Sequence, residues 1–132
     1  MDGLVESALR RAALWDEVED DLMRSGFSLS GGHQQRLSIA RAIAVQPDVL
    51  LLDEPCASIG SVSSAKIEQT IDELRHEHAI VLVTHNLQQA ARVADFVGFM
   101  YLGGVLEFGS VQDIFLRPKE PRTERFITGR FG

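Results

Sequence analysis

Residues 29–55 read LSGGHQQRLSIARAIAVQPDVLLLDEP, and this stretch decides the fold. Ser30 ahead of two glycines is a helix N-cap followed by backbone that a ligand can approach closely. Gln34–Val45 carries a strong helical pattern, which Gln46-Pro47-Asp48 stops. Val49-Leu50-Leu51-Leu52 is a short continuous apolar run, as expected for a strand buried on both faces. It ends at once in Asp53-Glu54-Pro55.

Working upstream, residues 3–15 read as an amphipathic helix, with Val5, Ala8, Leu9 and Ala12 at helical spacing and Trp15 at its end. Asp16, Glu17, Glu19, Asp20 and Asp21 follow. A charge run of this kind reads first as a solvated face and second as an acidic docking face. Downstream, residues 63–77 place Ile67, Ile71 and Leu74 on one helical face. Residues 79–83 form a second buried strand, which runs into Thr84-His85-Asn86. A helix over 87–94 turns Leu87, Ala90, Ala91 and Ala94 inward. Phe96–Leu102 and Val105–Phe108 flank Gly103-Gly104, a two-residue hairpin signal. A short helix near 110–116 and a tail containing Pro118 and Pro121 complete the chain. Strands alternating with helices predict a parallel sheet in an α/β fold.

Composition narrows the function classes. The 132 residues suffice for one modest domain with a real core. A net charge of −6 and no concentrated basic patch argue against a nucleic-acid partner. Cys56 stands alone, which excludes an intrachain disulfide framework and suits a reducing compartment. The apolar run Phe96–Leu106 is too short to span a bilayer, and the opening residues do not form a signal peptide. A soluble, cytoplasmic protein is expected, with any membrane association coming through a partner.

The chemistry-bearing residues lie at strand ends and at one helix start. In a parallel α/β sheet, ligands bind beyond the carboxyl ends of the strands. An apolar strand ending in adjacent acids suits Mg²⁺ and an activated water: Asp53 would hold the metal, directly or through water, and Glu54 would polarise the nucleophile. His85, on the neighbouring strand, could contact a terminal phosphate. The alternative is that these residues merely cap turns. Ser30-Gly31-Gly32 offers backbone N–H groups and a helix dipole to an anion, or is simply a capped turn. His76 and His78 do not share a helix face, so a metal site there is not expected. Cys56 reads as a packing residue.

Taken together, LSGGH, the helix after it and VLLLDEP, with the histidine of VTHN, resemble the signature motif, Walker B strand and switch histidine of ABC-transporter ATPases. The stretch THNLQQAARVADFVGFMYLGGVLEFG and the ending FITGRFG look like the ATP-binding subunit of bacterial phosphate importers. The likeness runs from LVESALRRAALWDEV to the last glycine and covers the C-terminal half of that family's domain. Residues 1–45 would be the end of the helical subdomain and the signature helix. Residues 46–132 would hold Walker B, the switch-histidine strand and the tail. The resemblance implies ATP and Mg²⁺ as cofactors, Asp53 as the metal residue, Glu54 as catalytic base and His85 as γ-phosphate sensor. It implies that Ser30, Gly31, Gly32 and His33 clamp ATP held by a dimer partner. The further partners implied are the importer's transmembrane subunits and, indirectly, a phosphate-binding protein, at the inner face of the cell membrane.

Several features depart from the family pattern. No G-x-x-x-x-G-K-[ST] occurs, and the two lysines, Lys66 and Lys119, follow no such loop. The glutamine-containing loop before the signature is also absent. His33 replaces a glutamine, and Gly60 in CASIGS replaces an aspartate, which should weaken communication between two ATP sites. Strands lacking their neighbours would expose apolar faces and unpaired edges, so marginal stability and association are expected. The ATPase reading therefore stands beside two others: a truncated, non-catalytic fragment, and a clamp donor to an intact ATPase.

Overall fold

The computed structural model describes residues 1–129, a mixed α/β chain in two compact units, Met1–Val83 and the segment from Thr84 onward. The Arg130–Gly132 end of the ITGRFG motif lies outside the described residues.

In the first unit, helix α1 (Asp2–Arg11) stops short of the expected Trp15. The Leu14 N–H bonds the Leu9 carbonyl at 2.9 Å and the Ala13 N–H bonds the Arg10 carbonyl at 3.0 Å. Ala13 takes φ +54°, and Leu9 and Leu14 are both buried. This is a Schellman stop built on alanine instead of glycine. Periodicity runs through it because Ala12 and Leu14 are still core residues. A second short helix, α2 (Trp15–Val18), and 3₁₀ turns at Glu19–Asp21 and Gly26–Ser28 lead to α3 (Gly31–Ala44). Gln46, at φ +52°, and Pro47 end α3.

Strand β1 (Val49–Asp53) pairs in parallel with β2 (Ala79–Val83), joined through α4 (Ser61–Leu74). The register sets Leu51 against Val81 and Asp53 against Val83. Leu50 and Leu52 enter a core with Leu9, Leu14, Ile39, Ile43, Ile67, Ile71 and Leu74. The expected burial on both faces is not found: Leu51 is 73 % exposed, and Val49, Val81 and Val83 are exposed beside it. Four apolar side chains on one strand face thus face solvent, because helices cover only the other side.

His78 closes the unit from behind. Its Nδ1–H donates to the Pro47 carbonyl at 2.6 Å, which leaves Nε2 to accept from Arg11 at 3.0 Å. One imidazole thereby ties α1 and the turn before β1 to the start of β2.

In the second unit, α5 (Leu87–Val93) buries Gln89, while Ala91 is exposed. Of the four residues expected to turn inward there, Leu87, Ala90 and Ala94 are half-buried and Ala91 is not. Strands β3 (Phe96–Tyr101) and β4 (Gly104–Ser110) pair antiparallel. The hairpin turn is Leu102-Gly103, with φ of +47° and +80°, and Gly104 already pairs with Tyr101. Positive φ at both central residues marks a type I′-like turn, one residue earlier than the glycine pair suggested. Helix α6 (Val111–Leu116) packs on the hairpin through Ile114. Glu107 accepts the Lys119 and Glu120 N–H groups at 3.0 and 2.9 Å and so leads the chain into α7 (Pro121–Ile127).

Candidate functional site

The start of α3 is the better-built part of the site. Ser30 is extended, at φ −63° and ψ 162°, and its Oγ accepts the His33 N–H at 3.3 Å. Its carbonyl accepts the Gln34 N–H at 2.8 Å. Helix geometry leaves the N–H groups of Gly31 and Gly32 without intrahelical acceptors, directed out along the axis. Ser30 and Gly31 are exposed. A 14-residue helix with this start suits an anion by N–H donors and dipole together. The Gln34 side chain holds the approach from behind, donating to the carbonyls of Phe27 at 3.2 Å and Leu29 at 3.0 Å.

The glycines meet a packing demand as well. A Cβ on Gly32 would sit 2.6 Å from the Ser63 Cβ and closer still to its Oγ, and one on Gly31 would touch Ile59 at 3.7 Å. The turn therefore rests on the segment that follows β1 and on the first turn of α4.

Asp53 ends β1 on its exposed face. Glu54 follows, half-buried, at φ +48°, with its N–H on the Val83 carbonyl at 2.8 Å. A non-glycine residue in that region costs about 1–3 kcal/mol and turns the chain sharply. Pro55 is buried directly after it. The two carboxylates sit at the carboxyl end of a parallel strand, and hard oxygen donors of this kind suit Mg²⁺, which takes one or two carboxylates and fills its shell with water and phosphate oxygens. Among the described residues no group of three or more His, Cys, Asp or Glu forms a cage made of protein alone.

His85 lies in the second unit, two residues past β2. The Asn86 N–H bonds Thr84 Oγ1 at 3.0 Å, and Asn86 Oδ1 accepts the Gln89 N–H at 3.0 Å. His85 is thus held in a turn that opens directly into the capped start of α5, with its ring exposed. Asp53 and Glu54 are gathered at one strand end and Ser30, Gly31, Gly32 and His33 at one helix start. His85 belongs to the other unit.

Glu17 is a site residue missed in the acidic run. Its Oε1 accepts from Arg36 Nη1 at 2.8 Å and Lys66 Nζ at 2.5 Å. Its Oε2 accepts from Arg36 Nη2 at 3.1 Å and from His33 Nε2. The Arg36 guanidinium above all, then Lys66 and His33, hold this carboxyl well below the usual carboxylate range, against partial burial that pushes it up. Arg36 is 1 % exposed and also donates to the Ala13 carbonyl at 2.5 Å. The signal was available: Arg36, Ile39, Ala40 and Ile43 share one helical stripe, and a cation in an apolar stripe needs a counter-ion. Asp16, Glu19, Asp20 and Asp21 remain exposed, as a solvated face should.

Residues 1–57 match the model of the ABC transporter family. The matched stretch runs from α1 through the Ser30 turn, α3 and β1 to just past the Asp53-Glu54 pair. The likeness to an ABC transporter nucleotide-binding domain applies to that stretch, 57 of the 132 residues. Domains of the ABC transporter family bind ATP, generally with Mg²⁺, and act as dimers with transmembrane subunits. Among the described residues no helix is long and apolar enough to cross a membrane.

Proposed function

We propose that this chain supplies the clamp and hydrolytic residues of an ABC importer ATPase for inorganic phosphate, at the cytoplasmic face of the membrane. The observation that carries the reading is the capped start of α3, with Ser30 and Gly31 exposed and Gly32 buried behind them, on the same compact unit as Asp53-Glu54 and inside the family match. The QQAARVAD and ITGRFG sequences support phosphate over other cargo.

In this reading Ser30 Oγ and the N–H groups of Gly31 and Gly32 bind phosphate oxygens of an ATP held by a dimer partner, and His33 follows them with its ring on Glu17. Asp53 would hold Mg²⁺, which supplies charge neutralisation at the phosphates. Glu54 takes the proton of the attacking water, and its turned backbone fixes the carboxylate beyond the strand. His85 donates to the terminal phosphate. A Walker A loop, with its lysine, would complete the site. Transmembrane subunits and a phosphate-binding protein complete the importer.

The test is Glu54→Gln in the assembled ATPase. Turnover falls by about 10²–10⁴, the range for loss of a general base, while ATP binding persists. Unchanged turnover removes the role of Glu54. A second reading, a truncated non-catalytic fragment, is favoured by the exposed Leu51, Val81 and Val83 face. Under it, the purified chain does not hydrolyse Mg-ATP, whereas a clamp donor would co-purify with an intact ATPase.

A further inference from the structure

We propose that Glu17 and His33 are positioning residues for the Ser30 turn, acting through Ser30 instead of on the nucleotide. The proposal rests on the clamp reading for its purpose, but its geometry stands apart from that reading.

One carboxylate joins three elements. Glu17, on α2, accepts from Arg36 in the second turn of α3, from His33 in its first turn and from Lys66 on α4. Arg36 is buried and anchors Glu17 to the core, so the carboxylate is a fixed point and not a swinging surface group. His33 then carries two bonds at once. Its ring donates to Glu17, and its N–H donates to Ser30 Oγ. A relay of two bonds thus runs from Glu17 to the serine hydroxyl. On the far side, α4 presents two residues three apart on one helical face, one to the turn and one to Glu17 on α2. Ser63 lies under Gly32, and Lys66 reaches Glu17. The Ser30 turn is therefore held between α2 and α4.

Glu17 is exposed and Lys66 half-buried, but the bidentate Arg36 behind the carboxylate is buried, and a networked, bidentate pair holds its geometry better than an isolated surface pair does. Here a four-donor carboxylate is used up within the chain, and the ring of His33 is committed to it. The nucleotide-facing donors of this turn are then the Ser30 hydroxyl and the Gly31 and Gly32 N–H groups, and His33 sets where they stand.

Amide hydrogen exchange on the full chain, resolved by residue, tests this. His33→Ala leaves the buried Arg36–Glu17 pair intact, so the fold survives. Exchange at the residue-33 and Gln34 amides rises about five- to tenfold, the effect of losing one hydrogen-bonded restraint, while Ala40 and Ile43 stay protected. Lys66→Met gives a smaller rise at the same two amides. His33→Gln, which keeps a donor at that position, restores protection. A uniform rise at all four amides, or none at residue 33 and Gln34, overturns the proposal, as does failure of His33→Gln to rescue. ATP-dependent association with an intact ABC ATPase is measured in parallel. Local exchange changes as expected without such association leave positioning standing and remove the clamp reading. Association that persists with unaltered exchange does the reverse.

Discussion

Replacing Gly32 with alanine tests whether the close approach of α3 and α4 sets the candidate clamp. The added Cβ would lie 2.6 Å from the Ser63 Cβ. Rotating the serine hydroxyl away relieves the shorter contact with Oγ but not this one, because a Cβ cannot rotate out. Ordinary carbon–carbon contact begins near about 3.5 Å, so the helices must separate by roughly 1 Å or distort. Overpacking of this kind costs about 1–3 kcal/mol. Ser63→Gly in the same background removes both offending atoms and leaves the Ser63 Cα at 4.0 Å, an ordinary contact. Urea unfolding followed by Trp15, the single tryptophan, reports on the first unit. With a slope of about 1 kcal/mol/M for a small unit, Gly32→Ala lowers the midpoint by about 1–3 M, and the double variant recovers most of it. A Gly32→Ala midpoint within about 0.5 M of the parent, or a double variant no better than the single, would refute the packing argument.

Other expectations follow from the same structure. Glu17 has a depressed pKa when folded, so its stabilisation is present above the ordinary value of 4.5 and lost as pH falls below it. Urea titrations between pH 7 and 3 should show the parent losing more stability than Glu17→Gln, and parallel curves would sink the assignment. Ala13→Gly relieves the left-handed position at the end of α1 and raises the unfolding free energy by about 0.5–1 kcal/mol, checked by urea unfolding. Leu102→Asn suits the left-handed first position of the hairpin turn and removes a side chain that is 89 % exposed, so thermal unfolding of the second unit moves upward. Changing Leu51, Val81 and Val83 together to threonine removes the exposed apolar strand face. Light scattering should show less self-association, and an unchanged particle size would mean that another surface drives it.

Much of the fold was legible because local chemistry and burial agree. Helix α3 carries its N-cap, its apolar stripe and its proline stop within residues 30–47, and β1 is apolar from its first residue to the acids that end it. The end of α1 was not legible, since alanine gives no sign of adopting a left-handed turn, and the turn is held by the Leu14 N–H on the Leu9 carbonyl with both leucines buried. The hairpin turn moved by one residue because strand register, set by Tyr101 against Gly104, outweighed the glycine pair as a local signal.

The sequence by itself determined which groups could do chemistry: the Ser30-Gly31-Gly32 start, the Asp53-Glu54 strand end and His85 are present as residue types at telling places. Tertiary structure decided what holds them. Arg36 demands a counter-ion because it is buried, and Glu17 is the acid of its run that reaches it, a choice made by the turn at Ala13 and the approach of α4. Tertiary structure also decided that β1 and β2 are covered on one face only. An apolar run records that a strand can be buried, whereas the elements packed around it settle on how many sides it is.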